Sequence, residues 1–357
     1  MLVALFGIVG MHSCRNERPT IHPQPRPSGP TPYALDIPTW TIDTTYAPVW
    51  PADNPLTVEG VALGRKLFYE EALSRDGTLS CGSCHLQEHA FSDPRRYSIG
   101  TDGESGQRNG MALMNLAWSH FYFWDARALS LEAQALAPVT DHRELFNAWP
   151  EVLQRLKEHP AYSALFQTAF GTMEIDSSHV ARALAQFERT LISFSSPFDR
   201  FHYECDTLAL TPTERRGMDL FFGKAHCNDC HELPLFQDHG VINIGLDSVP
   251  VDQGMGARTG FAKHVGRFKT PTLRNCAVSG PYMHDGRFAT LEEVVDFYAD
   301  DVHLNTPNFD DHMFAWKLGA VQLVAQERGD LVAFLKSLTD TRFLNAPSLS
   351  DPDAMGR

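Results

Sequence analysis

The sequence predicts an all-α protein composed of two similar domains. Two pentads of the form Cys-x-x-Cys-His, at residues 81–85 and 227–231, lie in different halves of the 357-residue chain. Each pentad follows the same short pattern, Gly-x-x-Leu-Phe-aromatic, at 64–69 and 217–222. Apolar residues recur at helical spacing in both halves, whereas the alternating patterns of strands are scarce. These observations indicate a duplicated helical unit.

The two pentads have the spacing of c-type haem attachment sites. In such a site two thiols add across the vinyl groups of one haem, and the adjacent imidazole binds the iron. The attachment residues predicted in this way are Cys81, Cys84 and His85 in the first pentad and Cys227, Cys230 and His231 in the second. One zinc site shared by the four cysteines is disfavoured by the distance between the pairs, and a redox dithiol needs no histidine. We therefore expect two cytochrome c-like domains, each with one covalently attached haem.

The N-terminal residues predict export. Residues 1–14 are interpreted as a signal sequence or lipoprotein signal, because a short apolar stretch, Leu2 to Met11, precedes Cys14. A lipid on Cys14 is left open, since His12 makes the cleavage box imperfect. Residues 15–32 are rich in Pro and Arg and are predicted to form an extended tether. A periplasmic location agrees with covalent haem attachment, which takes place outside the cytoplasm.

Three further helices and one loop are predicted from local patterns. A helix should begin after Thr211, because Glu214 completes a capping box and Pro212 occupies the first position, and it should end near Gly223. Residues 240–269 contain six glycines and are expected to form a long loop with one short hairpin. The apolar faces of two amphipathic helices consist of Val180, Ala183, Leu184, Phe187 and Leu191, and of Leu331, Phe334, Leu335 and Leu338.

These elements divide the chain into a first domain at 33–205, a second at 206–345 and a tail at 346–357. With 43% apolar residues, the chain can form packed cores. The formal net charge of −14 argues against nucleic acid as a partner and allows a basic protein partner. No apolar run reaches the roughly 20 residues of a membrane-spanning helix.

Taken together, the motifs resemble those of the bacterial di-haem cytochrome c peroxidases, with the MauG-type enzymes as a sister branch. The resemblance covers about residues 48–345. Its markers are the two pentads, the segments 51–55, 123–125 and 281–286, and the residues Gln134 and Glu144. It implies a peroxidatic haem in the first domain and an electron-transfer haem in the second.

The resemblance implies catalytic roles for three residues. Glu144 and Gln134 match the family's distal Glu and Gln. A carboxylate can move a proton from one peroxide oxygen to the other, and an amide can hold peroxide by hydrogen bonds. Trp124 matches the family's Trp between the two haems, where an oxidisable indole can assist electron transfer. Packing within an aromatic cluster is an alternative role for Trp124.

A calcium ion between the domains is also implied by the resemblance. Asn109, Ser279 and Pro281 match the family's calcium site, through one side-chain oxygen and two backbone carbonyls. Oxygen donors suit this hard cation. Ser279 stands where Thr is usual, and a ligand that acts through its backbone tolerates that change.

Tyr298 occupies the position of the sixth ligand of the second haem iron. Many members of the family have Met there, and the MauG branch has Tyr. A capping box of Thr290 and Glu293 predicts a helix whose spacing turns Tyr298 inward. A phenolate ligand should lower the potential of the iron. Met283 and Met313 remain alternative ligands, and Tyr298 would then be a core residue.

The first haem iron is predicted to be open on its distal side. No His occurs between His89 and His120, and His89 is too close to His85 in sequence to reach the opposite face. The remaining cysteines, Cys205 and Cys276, either form a disulfide or stay free.

Three functions fit these residues. The first is a cytochrome c peroxidase, an oxidoreductase that reduces hydrogen peroxide to water with electrons from a small cytochrome c or copper protein. The second is a MauG-like enzyme that oxidises Trp or Tyr of a partner protein, which Tyr298 favours. The third is a di-haem electron carrier, which has no use for a distal acid–base pair. The family resemblance leaves a homodimer open.

Overall fold

The computed structural model describes residues 29–41 and 47–354, so Cys14 and most of the predicted signal and tether lie outside the described residues. The described chain is mostly helical, as predicted. Its α-helices are α1 (Val58–Phe68), α2 (Leu131–Thr140), α3 (Trp149–Glu158), α4 (Tyr162–Phe170), α5 (Ser177–Glu188), α6 (Pro197–Tyr203), α7 (Pro212–Phe221), α8 (Met255–Thr259), α9 (Leu291–Asp296), α10 (Phe314–Lys317), α11 (Ala325–Lys336) and α12 (Thr341–Leu344). None of the helices in these ranges is both long and apolar enough to cross a membrane.

The repeated Gly-x-x-Leu-Phe-aromatic pattern marks two equivalent helix crossings. Gly64 of α1 packs on α5, where an added Cβ would collide with the carbonyl oxygen of Ala183. Gly217 of α7 packs on α11 in the same way, and its added Cβ would collide with the carbonyl oxygen of Asp330. Glycine therefore permits a close backbone approach at both crossings.

Aromatic contacts extend the correspondence between the two crossings. The rings of Phe68 and Phe187 lie 5.3 Å apart at the first crossing, and those of Phe221 and Phe334 lie 5.2 Å apart at the second. All four side chains are at most 1% exposed. The weak sequence repeat thus corresponds to the same pair of packed helices in each half of the chain.

Each half has its own apolar core. The first core is formed mainly by residues 61–191, and the second by residues 198–338. Phe198 of α6 packs in the second core, although it precedes the predicted boundary after residue 205. Leu191 and Leu338 lie just beyond the ends of α5 and α11, and both are fully buried in their respective cores.

Several predicted local features are confirmed in the second half. Thr211 and Glu214 form the capping box of α7, with Pro212 at its first position. The glycine-rich segment begins and ends in an antiparallel pair of short strands, β1 (Val241–Ile242) and β2 (Phe268–Lys269). The segment between the strands also contains α8, which the loop prediction missed.

The helix predicted to carry Tyr298 ends earlier than expected. Its capping box of Thr290 and Glu293 is present, but α9 ends at Asp296. Residues 297–301 continue as a π-helical turn, so Tyr298 follows the α-helix instead of lying within it. Wider turns of this kind occur often at functional sites, because they redirect a side chain without ending the helical path.

The end of the described chain returns to the first half. The guanidinium of Arg65 donates a hydrogen bond to the carbonyl oxygen of Ser350, and the Tyr69 hydroxyl donates one to that of Leu349 at 2.8 Å. Leu349 and Phe343 are buried in the first core. Residues 346–350 of the predicted tail are therefore packed against α1 and its surroundings.

Candidate active site

The first pentad forms a tight turn that fixes its histidine. Residues 81–83 form a 3-10 turn, and the backbone N–H of His85 donates to the carbonyl oxygen of Cys81 at 2.9 Å. His85 Nδ1 lies 2.7 Å from the carbonyl oxygen of Phe91. A proton on Nδ1 satisfies this contact and leaves Nε2 to bind a metal. Burial lowers the pKa of His85, which favours the neutral imidazole that metals require.

The second pentad repeats this arrangement. Residues 227–229 form a 3-10 turn, and the N–H of His231 donates to the carbonyl oxygen of Cys227 at 3.0 Å. His231 Nδ1 lies 3.0 Å from the carbonyl oxygen of Phe236. Phe91 and Phe236 both have positive φ values, of 57° and 52°. The two pentads therefore place their imidazoles by the same local geometry.

Each pentad opens onto its own cavity. The first cavity, of about 1210 Å³, is lined by Cys81, Cys84 and His85, and the second, of about 190 Å³, by Cys227, Cys230 and His231. Across the part of the chain that the structure describes, no group of three or more His, Cys, Asp or Glu side chains could hold a metal ion. Two thiols and one imidazole at each cavity fit a covalently attached haem, whereas a shared zinc site would need the pairs to converge.

The predicted acid–base pair lies in the first cavity. Gln134 of α2 and Glu144 of the following turn both line it, together with His85. Burial, reinforced by the charge of Asp141, raises the pKa of Glu144 to about 7, and Arg127 opposes this rise. A carboxyl group with a pKa near neutrality can both take up and release a proton. The structure thus brings Gln134 and Glu144 together, and their catalytic roles stay predictions.

Glu188 is a further carboxyl group of the first cavity, which the motif analysis did not single out. It lies at the end of α5, is 5% exposed, and its Oε2 has no hydrogen-bond partner among the described residues. Burial raises the pKa of Glu188 to about 8, while Arg189 opposes this. The sequence contains a signal for it, because Glu188 follows Leu184 by four residues and so lies on the apolar face of the helix.

Trp124 lines both the first and the second cavity. Its indole Nε1 donates a hydrogen bond of 2.8 Å to the carbonyl oxygen of Asn109, and its own carbonyl accepts one of 2.8 Å from the backbone N–H of Lys269. Lys269 also lines both cavities and is a second residue that sequence patterns did not reveal. Trp124 therefore contributes to the walls of both cavities, and its role in electron transfer stays a prediction.

All three predicted candidates for the sixth ligand line the second cavity. Tyr298, Met283 and Met313 are present in its wall together with His231. Burial raises the pKa of the Tyr298 phenol, so a phenolate at this position would need a nearby positive charge, such as a ferric iron. The choice among the three candidates stays a prediction.

The three residues predicted to bind calcium meet at a small cavity. Asn109, Ser279 and Pro281 line a space of about 90 Å³, to which Trp124 and Lys269 also contribute. The amide Nδ2 of Asn109 donates to backbone carbonyls, which leaves its Oδ1 as the oxygen donor. No carboxylate is among the described residues of this wall. The neutral oxygens suit calcium in kind but are fewer than its usual six to eight ligands, so waters would complete the shell.

The remaining predictions concern histidines and cysteines. His89 is not part of the described wall of the first cavity, and its Nδ1 lies 3.0 Å from the carbonyl oxygen of Val278, which agrees with an open distal side. His284 is 7% exposed and lines both cavities, with its ring stacked on Phe268.

Cys205 is exposed and Cys276 is buried, and both are free, so of the two alternatives for this pair the structure has free thiols.

Comparisons with known proteins agree with this geometry. The model of the family described as di-haem cytochrome c peroxidase matches residues 58–207. The methylamine utilization protein MauG of Methylorubrum extorquens is 40% identical over 290 residues, which cover 81% of this chain and 80% of that protein. The cytochrome-c peroxidase IdrP1 of Pseudomonas sp. strain SCT is 34% identical over 334 residues, covering 84% and 85%.

A solved structure has the same fold. The crystal structure of a MauG-like protein associated with microbial copper homeostasis superposes with a TM-score of 0.77 at 35% identity, covering 90% of this chain and 99% of that one. The family model covers the first pentad, and the matches to the two relatives and to the solved structure cover 81–90% of the chain. The chain therefore belongs to the di-haem cytochrome c peroxidase family, to which MauG proteins are also related.

Proposed function

We propose that this protein is a peroxidase that reduces hydrogen peroxide to water with electrons from a small redox protein. The observation that carries the proposal is the environment of Glu144, a buried carboxyl group whose pKa is raised to about 7. Glu144 shares its cavity with the amide of Gln134 and the imidazole of His85. A protein that only carried electrons would have no need for a carboxyl group tuned in this way.

Two haems would be held covalently, one in each of the domains at 33–205 and 206–345. Each bound haem would supply a redox-active iron, with His85 and His231 as the iron ligands. The attachment residues would be Cys81 and Cys84 in the first cavity and Cys227 and Cys230 in the second. We expect a haem-to-protein ratio near two, with haem stain retained on denaturing gels. A ratio near one, or stain that is lost on denaturation, would contradict this assignment.

The residues of the first cavity would handle the protons of the reaction. Reduction of one hydrogen peroxide to two waters takes two electrons and two protons. Glu144 would accept the proton of one peroxide oxygen and return it to the other, which becomes the leaving water. The Gln134 amide would donate a hydrogen bond that orients the peroxide between these groups.

Steady-state oxidation of a reduced small cytochrome c tests the peroxidase proposal. Oxidation should depend on added peroxide, with two cytochromes oxidised for each peroxide consumed. The net charge of −14 favours a basic donor, so the rate should fall as salt is added. Oxidation of the donor that is independent of peroxide would point to an electron carrier instead.

A MauG-like activity is the second candidate, and Tyr298 favours it. Tyr298 lines the second cavity beside His231, and two of the relatives, both MauG proteins, are 40% and 34% identical to this chain. In this case the oxidising equivalents would be withdrawn from a Trp or Tyr of a partner protein. The two candidates separate when peroxide is added without a small donor. A MauG-like protein would then modify its partner, whereas a peroxidase would show little turnover.

We further propose a periplasmic location, because covalent haem attachment takes place outside the cytoplasm. We also propose that Asn109, Ser279 and Pro281 bind calcium. Lipid anchoring through Cys14 and formation of a homodimer belong to the same proposal. Fractionation of cells with and without palmitate labelling tests the location and the anchor, and light scattering at two protein concentrations tests the dimer.

A further inference from the structure

Among the residues that the structure describes, Lys269 alone brings an amine to the walls of three of the cavities. It belongs to β2, is 7% exposed, and lines the first cavity, the second cavity and the small cavity of Asn109. Its backbone N–H is hydrogen-bonded to the carbonyl oxygen of Trp124, so its position next to the indole is fixed by the main chain. The side chain therefore lies where the two predicted haem sites approach each other.

The ammonium group of Lys269 lacks a direct partner within the described residues. Burial lowers the pKa of Lys269 to about 8, and the charge of Asp238 opposes this shift. Two other cations of the first cavity do have such partners: Arg108 contacts Asp252 at 2.7 Å, and Arg287 contacts Asp247 at 2.8 Å. An ammonium group that is carried by a buried residue and has no hydrogen bond or ion pair to a described residue favours an anionic ligand in the cavity beside it.

We propose that Lys269 is a positioning residue whose ammonium group faces the carboxylate side chains of the bound prosthetic groups and raises the midpoint potentials of both. The proposal rests on the proposed binding of two haems. Each haem carries two carboxylates in addition to the groups that would bind Cys and His. A cation that lies between the cavities could therefore neutralise carboxylates of both haems. Among the lysines and arginines of the described residues, Lys269 alone lines the second cavity.

The effect on potential follows from electrostatics. A fixed positive charge stabilises the reduced state of a nearby centre, because reduction adds an electron. At a separation of about 10 Å and an effective dielectric constant of about 20, removal of one charge changes the reduced-to-oxidised ratio by roughly an order of magnitude at a given potential. The same charge should also disfavour removal of an electron from the adjacent indole of Trp124.

Spectroelectrochemical titration of the haem-loaded protein tests the proposal with three variants. Lys269→Met removes the charge and keeps a side chain of similar length, whereas Lys269→Arg keeps the charge. Lys263→Met is the control, because it removes a charge from an exposed position in the segment between β1 and β2. All proteins receive the same calcium treatment, because a cation in the small cavity would shift the potentials in the same direction. Carboxylate bands of the haems in resonance Raman spectra provide a second measurement.

In Lys269→Met, both midpoint potentials should fall, so that the reduced fraction at the original midpoint decreases by about tenfold, and the carboxylate bands should shift. Lys269→Arg and Lys263→Met should stay close to the unmodified protein. Unchanged potentials in Lys269→Met, with two haems bound, would overturn the proposal. So would loss of haem from both Lys269 variants, because side-chain shape would then matter more than charge. A haem ratio below two in the unmodified protein would instead refute the proposed function.

Discussion

At the scale of single residues, the environment of Glu144 has the clearest chemical consequence. Its carboxyl group lies in the cavity wall, where burial disfavours the charged form and raises its pKa to about 7. An ordinary solvent-exposed Glu would be almost fully ionised at neutral pH, so it would have no proton to donate and would be a weaker base. The raised pKa therefore allows one group to act first as base and then as acid near pH 7.

Replacement of this carboxyl group should remove most of the activity. In Glu144→Gln, we expect peroxide turnover to fall by roughly 10²–10⁴-fold while both haems remain bound, because an amide cannot accept the proton. In the unmodified protein, kcat/KM for peroxide should rise with pH through about 7, since the carboxylate that accepts the proton forms above its pKa. The variant should lose this inflection.

Glu174→Gln is the matched control, because Glu174 is exposed and lies outside the described cavity walls. It should keep both the rate and the pH profile. Unchanged turnover in Glu144→Gln would show that another group moves the proton. Glu188 would be the first candidate, because it is also a buried carboxyl group of the first cavity with a raised pKa.

Replacement of Tyr298 should change the potential of the second haem. Tyr298→Met would exchange a phenolate for a thioether, which stabilises ferric iron less, so the midpoint potential should rise. Tyr298→Phe, which keeps the ring and removes the ligand atom, separates ligation from packing. The spectrum of the second haem in the unmodified protein identifies the side chain that binds the iron before any substitution is made. A thioether signature there would identify Met283 or Met313 as the ligand and Tyr298 as a core residue.

The placement of residues that are adjacent in sequence was predictable, whereas the placement of residues that only folding brings together was less so. The pentads carry both thiols and the imidazole within five positions, so the local turn alone brings them together. The placement of Glu144 near His85 required the resemblance, because the two are separated by many residues. Lys269 had no sequence signal, since its environment is created by segments from both halves of the chain.

At the scale of secondary structure, the two glycine crossings show how the duplicated pattern is used. In each half, the helix before the pentad contacts the last long helix of that half through a residue without Cβ. The approach also brings Phe68 against Phe187 and Phe221 against Phe334. Each crossing thereby joins the start and the end of one core, and it supports the pentad that follows.

Substitution at these crossings should destabilise the fold. In Gly64→Ala and Gly217→Ala, the added methyl group would meet a backbone carbonyl, which cannot move aside as a flexible side chain can. Overpacking of this kind costs about 1–3 kcal/mol, and we expect the apparent melting temperature to fall by several degrees. Circular dichroism during heating of the haem-loaded protein measures the change.

Gly329→Ala provides a control within a helix of the same fold. Gly329 lies in α11 with open space around an added Cβ, so alanine should leave stability unchanged or raise it slightly through helix propensity. Equal melting temperatures for Gly64→Ala and the unmodified protein would mean that the helices separate at little cost.

Element types were more predictable than element ends. The capping boxes at Thr211 and Thr290 are local features, and both are present in the structure. The π-helical turn that carries Tyr298 could not be read from spacing, because the i, i+3, i+4, i+7 rule assumes a regular α-helix. Similarly, Phe198 of α6 packs in the second core, and this placement results from tertiary packing and not from a local sequence signal.

At the scale of the whole molecule, the contacts of Asn109 connect the two halves. Its backbone N–H donates to the carbonyl oxygen of His284 at 2.8 Å, and its carbonyl accepts from the Trp124 indole. Its side chain lines the small cavity with Ser279 and Pro281 of the second half. A cation bound there would therefore contact residues of both halves next to Trp124.

Removal of calcium should loosen this connection. After exhaustive chelation, we expect lower peroxidase activity and slower electron exchange between the haems, because the three oxygen donors would no longer be held together. Added calcium should restore both, whereas magnesium should not, since its smaller octahedral shell fits fewer, more rigid ligands. Stopped-flow spectroscopy measures the exchange. If chelation changes neither property, the site is vacant or has no functional role.

The return of residues 343–353 to the first half has a consequence for biosynthesis. Phe343 and Leu349 complete the first core, and Arg65 and Tyr69 hold the backbone near Leu349. The earliest-made half can therefore reach its final packing only after nearly the whole polypeptide has been synthesised. Until then, the apolar groove that receives Phe343 and Leu349 stays uncovered. During this interval the unfinished half exposes apolar side chains and is most accessible to proteases.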